Sequence, residues 1–322
     1  MNAGFRVEDQ AAPAGGILQI PPVVIVGFNR PQQLAQVMRA VAAARVPKIY
    51  FVSDGPRASR QGEALIVSES RRQLDQLDAS TEVDRIVSTT NLGCRERIQS
   101  GLDEVFATEE SAIILEDDCV PDLTFFRYCQ ELLARYRSNA AVGAVCGTNF
   151  GLHSAAGPHS YSFSRYPFVW GWATWSRVWA QYDRDARSWS QRETKDRVRQ
   201  ALHDRLEYRY WDTAFSAIQK GFDTWDYQLA LTFLDSGFLS AVPANNLVSN
   251  IGFGPNGTHT TNSSVLDRVP LQPLTFPLAH PPSIVVNDVF DVDVARSQYR
   301  LSQMSLTKRR ARGFLRSVRG GV

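Results

Sequence analysis

Short, wholly apolar runs alternate along the first half of the chain with stretches in which apolar residues recur at helical spacing. Val23-Val24-Ile25-Val26-Gly27-Phe28 reads as a buried strand. Asn29-Arg30-Pro31 follows as a loop whose proline suits a helix start, and Leu34, Val37, Met38 and Val41 then fall on one helical face. Lys48 to Ser53 reads as a second strand running into the turn Asp54-Gly55-Pro56. Val83 to Val87 gives a third, and Ile98, Leu102, Val105 and Phe106 mark another helix face. Ala112-Ile113-Ile114-Leu115 is apolar throughout, as a central strand is, and it ends directly in Glu116-Asp117-Asp118. This alternation predicts an α/β fold with a Rossmann-like, mainly parallel central sheet flanked by helices. Such sheets bind ligands beyond the carboxyl ends of their strands. Asn29 and Arg30, Asp54, and Asp117 with Asp118 collect at that edge.

The texture changes after Val142 to Gly147, a short strand. Aromatic-rich segments follow, read as loops and including Trp170-Gly171-Trp172-Ala173-Thr174-Trp175. A helical stretch spans Asp204 to Lys220, and Trp225-Asp226-Tyr227-Gln228 leads into an apolar helix through Leu229, Phe233 and Leu234. Asn250 to Thr260 is a glycine-rich loop, and the chain beyond about Pro270 is broken by prolines. The expected organisation is a loose leader over 1–20 and one domain over 21–270. Its donor-side half is 21–150 and its acceptor-side half is 151–270, and an extension over 271–322 carries a basic tail. No internal repeat is visible.

Composition adds mainly exclusions. A net charge of +2 over 322 residues gives no argument for nucleic acid as a partner. The charge is concentrated, however, in Lys308 to Arg319. That segment suits either a solvated tail or a peripheral contact with an anionic membrane face. The four cysteines, Cys94, Cys119, Cys129 and Cys146, form no CxxC pair, and a disulfide framework is not expected of so few in so long a chain. No run approaches the roughly 20 apolar residues of a membrane span. The expected location is therefore cytoplasmic, with the tail at most at the inner membrane face.

The chemistry concentrates in the acidic triplet. Adjacent carboxylates at the end of a buried strand repel one another and resist desolvation. A hard cation such as Mg²⁺ or Mn²⁺, which prefers carboxylate oxygens, relieves that cost. Asp54 can accept a hydrogen bond from a nucleobase N–H, or serve as an ordinary turn residue before Gly55. Arg30, Arg95 and Arg97 suit a diphosphate through paired N–H groups, and Asn91-Leu92-Gly93 opens the helix that carries the last two. Asp226 is either a helix cap or a carboxylate able to take a proton. Trp170, Trp172 and Trp225 are candidates to stack on acceptor sugar rings, although at least two of the tryptophans in this region are expected to pack as core.

Taken in order, the segments Val24-Ile25-Val26-Gly27-Phe28-Asn29-Arg30-Pro31, Ser53-Asp54-Gly55, Asn91-Leu92-Gly93 and Ile114-Leu115-Glu116-Asp117-Asp118-Cys119-Val120-Pro121, with Phe125-Phe126, resemble the GT-A glycosyltransferases. The similarity is greatest to the N-acetylglucosaminyltransferase I type and to bacterial relatives of the large family-2 group, and it covers Val23 to Thr260. It implies a nucleotide-sugar donor, with uridine diphosphate favoured, and a glycan or glycolipid acceptor. It also implies a Mn²⁺ or Mg²⁺ cofactor. By the resemblance Arg30 and Asp54 hold the nucleotide, Glu116 and Asp117 face sugar and ribose, and Asp118 ligates the metal. Asp226 matches the catalytic base of inverting members, and His259 a late metal or diphosphate ligand. Phe28, Asn29, Asn91, Arg95 and Arg97 complete the expected donor site. Two other readings stand beside this one. Nucleotidyl transfer calls for a glycine- and lysine-rich early loop, which Gly27 to Pro31 is not. A non-catalytic glycan- or nucleotide-binding module would use the same fold and the tryptophans.

Overall fold

A computed structural model describes residues 19–155, 157–253 and 269–299. The strands are Val23–Gly27 (β1), Lys48–Ser53 (β2), Glu82–Val87 (β3), Ser111–Glu116 (β4), Cys119–Pro121 (β5), Val142–Cys146 (β6), Tyr161–Ser164 (β7), Trp172–Trp175 (β8), Leu239–Pro243 (β9) and Val248–Asn250 (β10). The helices are Pro31–Ala43 (α1), Glu63–Arg72 (α2), Cys94–Phe106 (α3), Leu123–Arg135 (α4), Ser176–Trp179 (α5), Arg192–Ala201 (α6), Arg205–Ile218 (α7), Asp226–Ser236 (α8) and Asp288–Ser297 (α9). An eight-stranded sheet runs in the order β3-β2-β1-β4-β8-β6-β9-β7, and β5 and β10 form a separate antiparallel pair. Strands β1 to β4 are parallel, while β8 runs against its neighbours β4 and β6, and β7 runs against β9. The sheet is therefore α/β and mainly parallel, with helices packed on it, as the alternation of runs predicts.

Local sequence explains most of these elements. Pro31 opens α1 at its first turn, where a missing N–H costs nothing, and Leu34, Val37, Met38 and Val41 are buried on one face. Asp122 and Asp204 cap α4 and α7 through side-chain hydrogen bonds to backbone N–H groups. In β4, Ala112 to Leu115 are all buried, consistent with a strand covered on both faces. Helix α8 is buried without interruption from Gln228 to Leu234, because it packs against both α6 and α7.

One reading needs correction. The segment Trp172 to Trp175 is not a loop but β8, buried at every position and inserted between β4 and β6. With both faces covered, it lacks the polar alternation that would have marked it as a strand. The proline-broken stretch after 270 also contributes to the core. Leu274, Leu278 and Ile284 are buried, Val286 bridges Phe163, and α9 buries Phe290 and Val294. The four cysteines are free. Among the described residues, no helix is long and apolar enough to cross a membrane. The basic tail lies outside the described residues.

Candidate functional site

Parallel register sets the site. Gly27 lies opposite Ser53, and Val26 opposite Glu116, so the loops after β1, β2 and β4 emerge side by side at one sheet edge. Here the apolar strand ends and its acids meet the loop after β1. The Phe28 N–H donates to Asp117 Oδ2 at 3.1 Å. The Arg30 guanidinium pairs with Asp118 and stands 3.5 Å from Asp117 Oδ1. From the far end of the chain, β10 pairs with β5, placing Asn250 opposite Cys119. The Ile251 N–H donates to the Asp118 carbonyl at 2.8 Å. A Cβ on Gly252 would strike the Asp118 carboxylate, so only glycine lets this backbone pass so close.

The electrostatics are unbalanced. Burial, then Asp118, Asp117 and Asp226, push Glu116 well above the usual carboxylate range. Burial and Asp118 raise Asp117 to about 7, against the pull of Arg30 and the Phe28 N–H. Thus three carboxylates face the single guanidinium of Arg30.

A further acid stands near this edge. Asp226 opens α8 and accepts a hydrogen bond from the Thr224 hydroxyl. Its charge reaches Glu116, so it lies near the triplet. Cys94, an exposed residue at the start of α3, has its thiol pushed up to about 12 by desolvation and by the charges of Glu116, Asp223, Asp226 and Asp117. It therefore lies near both acidic groups, and at such a pKa it is no nucleophile. Asp223 approaches the same helix start, its Oδ2 lying 3.6 Å from where a Gly93 Cβ would be.

The expected donor residues divide. Arg97 is 8% exposed, and among the described residues its Nε has no hydrogen-bond partner. It stands one turn before Gly101, where a Cβ would strike Val52, so it is on the face of α3 that packs onto β2. Helical side chains lean toward the helix N-terminus, which for α3 is the end nearest the edge where these loops emerge. Arg95 is half-buried and lies near the Tyr182 hydroxyl, which itself donates to the Trp225 carbonyl at 2.9 Å.

Asp54 is differently employed from what its position suggested. Its Oδ1 accepts from the N–H groups of Gly55 and Leu92, and its Oδ2 from the Asn91 amide and the N–H groups of Leu92 and Gly93. Its lone pairs are spent on fixing loop 91–93, so Asn91 is a loop anchor as well. A carboxylate so saturated has no acceptor left for a nucleobase.

The tryptophans also divide. Trp172 and Trp225 are 1% and 5% exposed and stack on each other, with ring centroids 6.0 Å apart. They are core, not acceptor surface, because their large apolar area is already covered. Trp170 is half-buried and makes edge contacts with Phe150 and Phe253. His259 lies outside the described residues.

Sequence reasoning missed Glu63, which sits at the start of a charged helix and looks like solvent-facing surface. It is buried and accepts from Asn29 and Arg57. Asn250 and Gly252 carried a faint signal as part of a glycine-rich stretch, but their contact with Asp118 depends on strand pairing far away in sequence.

Among the described residues, no three His, Cys, Asp or Glu side chains form a ready-made metal ligand set. The donor chemistry fits a hard divalent ion nonetheless. Mg²⁺ is commonly held by one or two carboxylates, the rest of its shell coming from substrate phosphates and water. The excess of carboxylate over guanidinium here provides the negative charge such an ion requires.

No known family model matches the chain, and no curated protein does. Solved structures with a similar chain course include the inositol-1-phosphate CTP transferase from T. maritima, at 9% identity and a TM-score of 0.37, covering 70% of this chain and 85% of that one. The 4-diphosphocytidyl-2C-methyl-D-erythritol synthase from Anaerococcus prevotii matches at 12% identity and a TM-score of 0.32, covering 50% and 74%. A UDP-glucose pyrophosphorylase complexed with UDP-glucose matches at 7% identity and a TM-score of 0.31, covering 51% and 79%. Likeness at this level carries no argument about activity.

Proposed function

We propose that the protein is a metal-dependent glycosyltransferase of GT-A type, moving a sugar from a nucleotide-sugar, with a UDP-sugar favoured, to a hydroxyl of a glycan or glycolipid. One observation carries the reading: the acidic triplet at the end of β4, paired with Arg30, lies within electrostatic reach of Asp226 at the start of α8. This sheet edge thus offers an acidic donor side and a separate carboxylate able to act on an acceptor.

Each residue has a physical task. Arg97 and the N-terminus of α3 attract the donor diphosphate, the first as a buried cation whose Nε has no hydrogen-bond partner among the described residues and the second through N–H groups that no side chain caps among those residues. Arg30 holds the triplet in place through Asp118 and Asp117. Asp118 is the expected ligand for Mn²⁺ or Mg²⁺, with Asp117 and Glu116 beside it to orient ribose and sugar. When bound, such an ion stabilises negative charge on the departing diphosphate. Asp226, steadied by Thr224, takes the proton from the acceptor hydroxyl. The acceptor oxygen attacks the anomeric carbon from the opposite face. The bond to the diphosphate breaks with its electron pair on the leaving oxygen, and configuration inverts.

The binding-module alternative keeps only Trp170 of its three candidate tryptophans, because Trp172 and Trp225 are buried. The test is a screen of nucleotide-sugars with Mn²⁺, read by thermal shift and then by product formation. Full turnover by Asp118→Ala in chelator-treated buffer would sink the metal-dependent mechanism. A product of retained anomeric configuration would sink the role of Asp226 as inverting base.

A further inference from the structure

The loop after β1 bears a second cluster, independent of the acidic triplet. Glu63, at the first position of α2, is 4% exposed. It accepts from the Asn29 amide at 3.0 Å and from the Arg57 N–H at 2.7 Å, and its carboxylate pairs with the Arg57 guanidinium. Arg57, bonding to Glu63 through its side chain and backbone, holds Glu63 down at about 2. Glu63 is therefore ionised at any working pH and can only accept hydrogen bonds. That fixes the Asn29 amide: its NH₂ must face Glu63, so its carbonyl oxygen faces away. Among the described residues, the Asn29 oxygen has no hydrogen-bond partner, and the residue is half-exposed.

The surroundings suit a flat, polar-edged ring. Phe28 is half-buried, and the Arg57 guanidinium, itself exposed, stands 5.5 Å over its ring. The strand register brings Phe28 and Asn29 alongside Asp54 and Gly55. Asp54 is saturated by loop 91–93, so Asn29 offers the free acceptor beside it.

We infer that the Asn29 carbonyl oxygen reads the imide N–H of a uracil-type base, and that Glu63 is the positioning residue that sets its polarity. The inference rests on the nucleotide-sugar reading above and names the residue that selects the base. Uracil presents N3–H to an acceptor, whereas cytosine presents a bare N3 lone pair that the Asn29 oxygen repels. Replacing Glu63 by glutamine supplies an amide NH₂ that can donate to the Asn29 oxygen. The Asn29 amide then turns over, and its own NH₂ faces the base as a partner for cytosine.

Calorimetric titration with UDP, CDP and N3-methyl-UDP in the presence of Mn²⁺ tests this on the full chain. The wild type should bind UDP about tenfold or more tighter than either analogue, since a site built around a hydrogen bond rejects a ligand that lacks it. Asn29→Ala should bring the UDP-to-CDP ratio close to one. Glu63→Gln should lower that ratio further, toward preference for CDP, a change that a merely structural role would not produce. Should Glu63→Gln fail to fold, the N3-methyl comparison and Asn29→Ala decide the matter alone. An unchanged ratio in Asn29→Ala, or N3-methyl-UDP binding as tightly as UDP, overturns the inference while leaving the donor reading intact. Failure of the wild type to bind any of the three overturns both.

Discussion

Two regions of the molecule bury carboxylates, and they do so in opposite ways. Around α7 and α9, Glu207 accepts from the Tyr166 hydroxyl and the His203 N–H, while Asp291 accepts from the Ser164 hydroxyl at 2.6 Å and from the Arg165 N–H and guanidinium at 3.1 Å. Each acid there has its donors. At the end of β4, three acids share Arg30, and the Glu116 carboxylate has no hydrogen-bond partner among the described residues. A satisfied buried network rigidifies a fold. An unsatisfied one is unfavourable unless something else completes it, which is why the β4 edge looks built for a ligand and the α7–α9 network looks built as scaffold.

The largest effect expected on the functional side comes from Asp226→Asn. It should lower kcat for sugar transfer by about 10³-fold, within the usual contribution of a general base, while nucleotide binding stays near wild type. Loss of nucleotide binding in that variant would show that Asp226 belongs to the donor wall. On the scaffold side, Glu207→Ala strips the partners of Tyr166 and His203. It should cost about 3 kcal/mol in denaturant unfolding, typical of breaking a buried polar pair. If the loss is under about 0.5 kcal/mol, as for an ordinary surface substitution, the scaffold reading fails.

Glu207 also gives the comparison a pH signature. Burial raises its pKa from the ordinary 4.5 to about 7. Because the folded value lies above the unfolded one, its contribution is fully present below about 4.5 and is lost as pH rises through about 7. Stability should therefore decline across that window by up to about 3 kcal/mol, and Glu207→Gln should flatten the decline. A wild-type curve that rises over the same range in thermal melts would contradict this assignment. The smallest effect, and the one of opposite sign, belongs to Glu116→Gln. Replacing an acid that burial and its neighbours hold from ionising by a neutral amide should stabilise the protein by about 1 kcal/mol at neutral pH in the absence of ligand, while weakening Mn²⁺-dependent nucleotide binding. A destabilised Glu116→Gln would mean that the triplet is scaffold after all.

How far these features could be read from the chain depends on the range of the interaction. The first four strands, the helix opened by Pro31 and the helix opened by Asp226 were legible because each is fixed by a local pattern. Strand β8 was not, since Trp172 to Trp175 are all buried between the flanking strands β4 and β6 and under α4 and α5, and a short buried run has no periodicity to betray it. Asp54 drew attention by position, yet its role turned on loop 91–93, some 37 residues away in sequence. Glu63 drew none, because a glutamate in a charged helix normally faces water.

The sequence by itself determined the mainly parallel sheet and the edge at which its polar loops gather, because strand periodicity and chain order constrain both. It also determined that an acidic triplet stands at the end of a central strand. Only the tertiary structure decided what each polar group meets there: Asp54 tied to a loop, Trp172 and Trp225 stacked in the core, Asn29 oriented by Glu63, and Asp226 within electrostatic reach of Glu116. The physical reason is that a lone pair or a ring face has few places for a partner. Which partner takes them is settled by packing between elements distant in the chain.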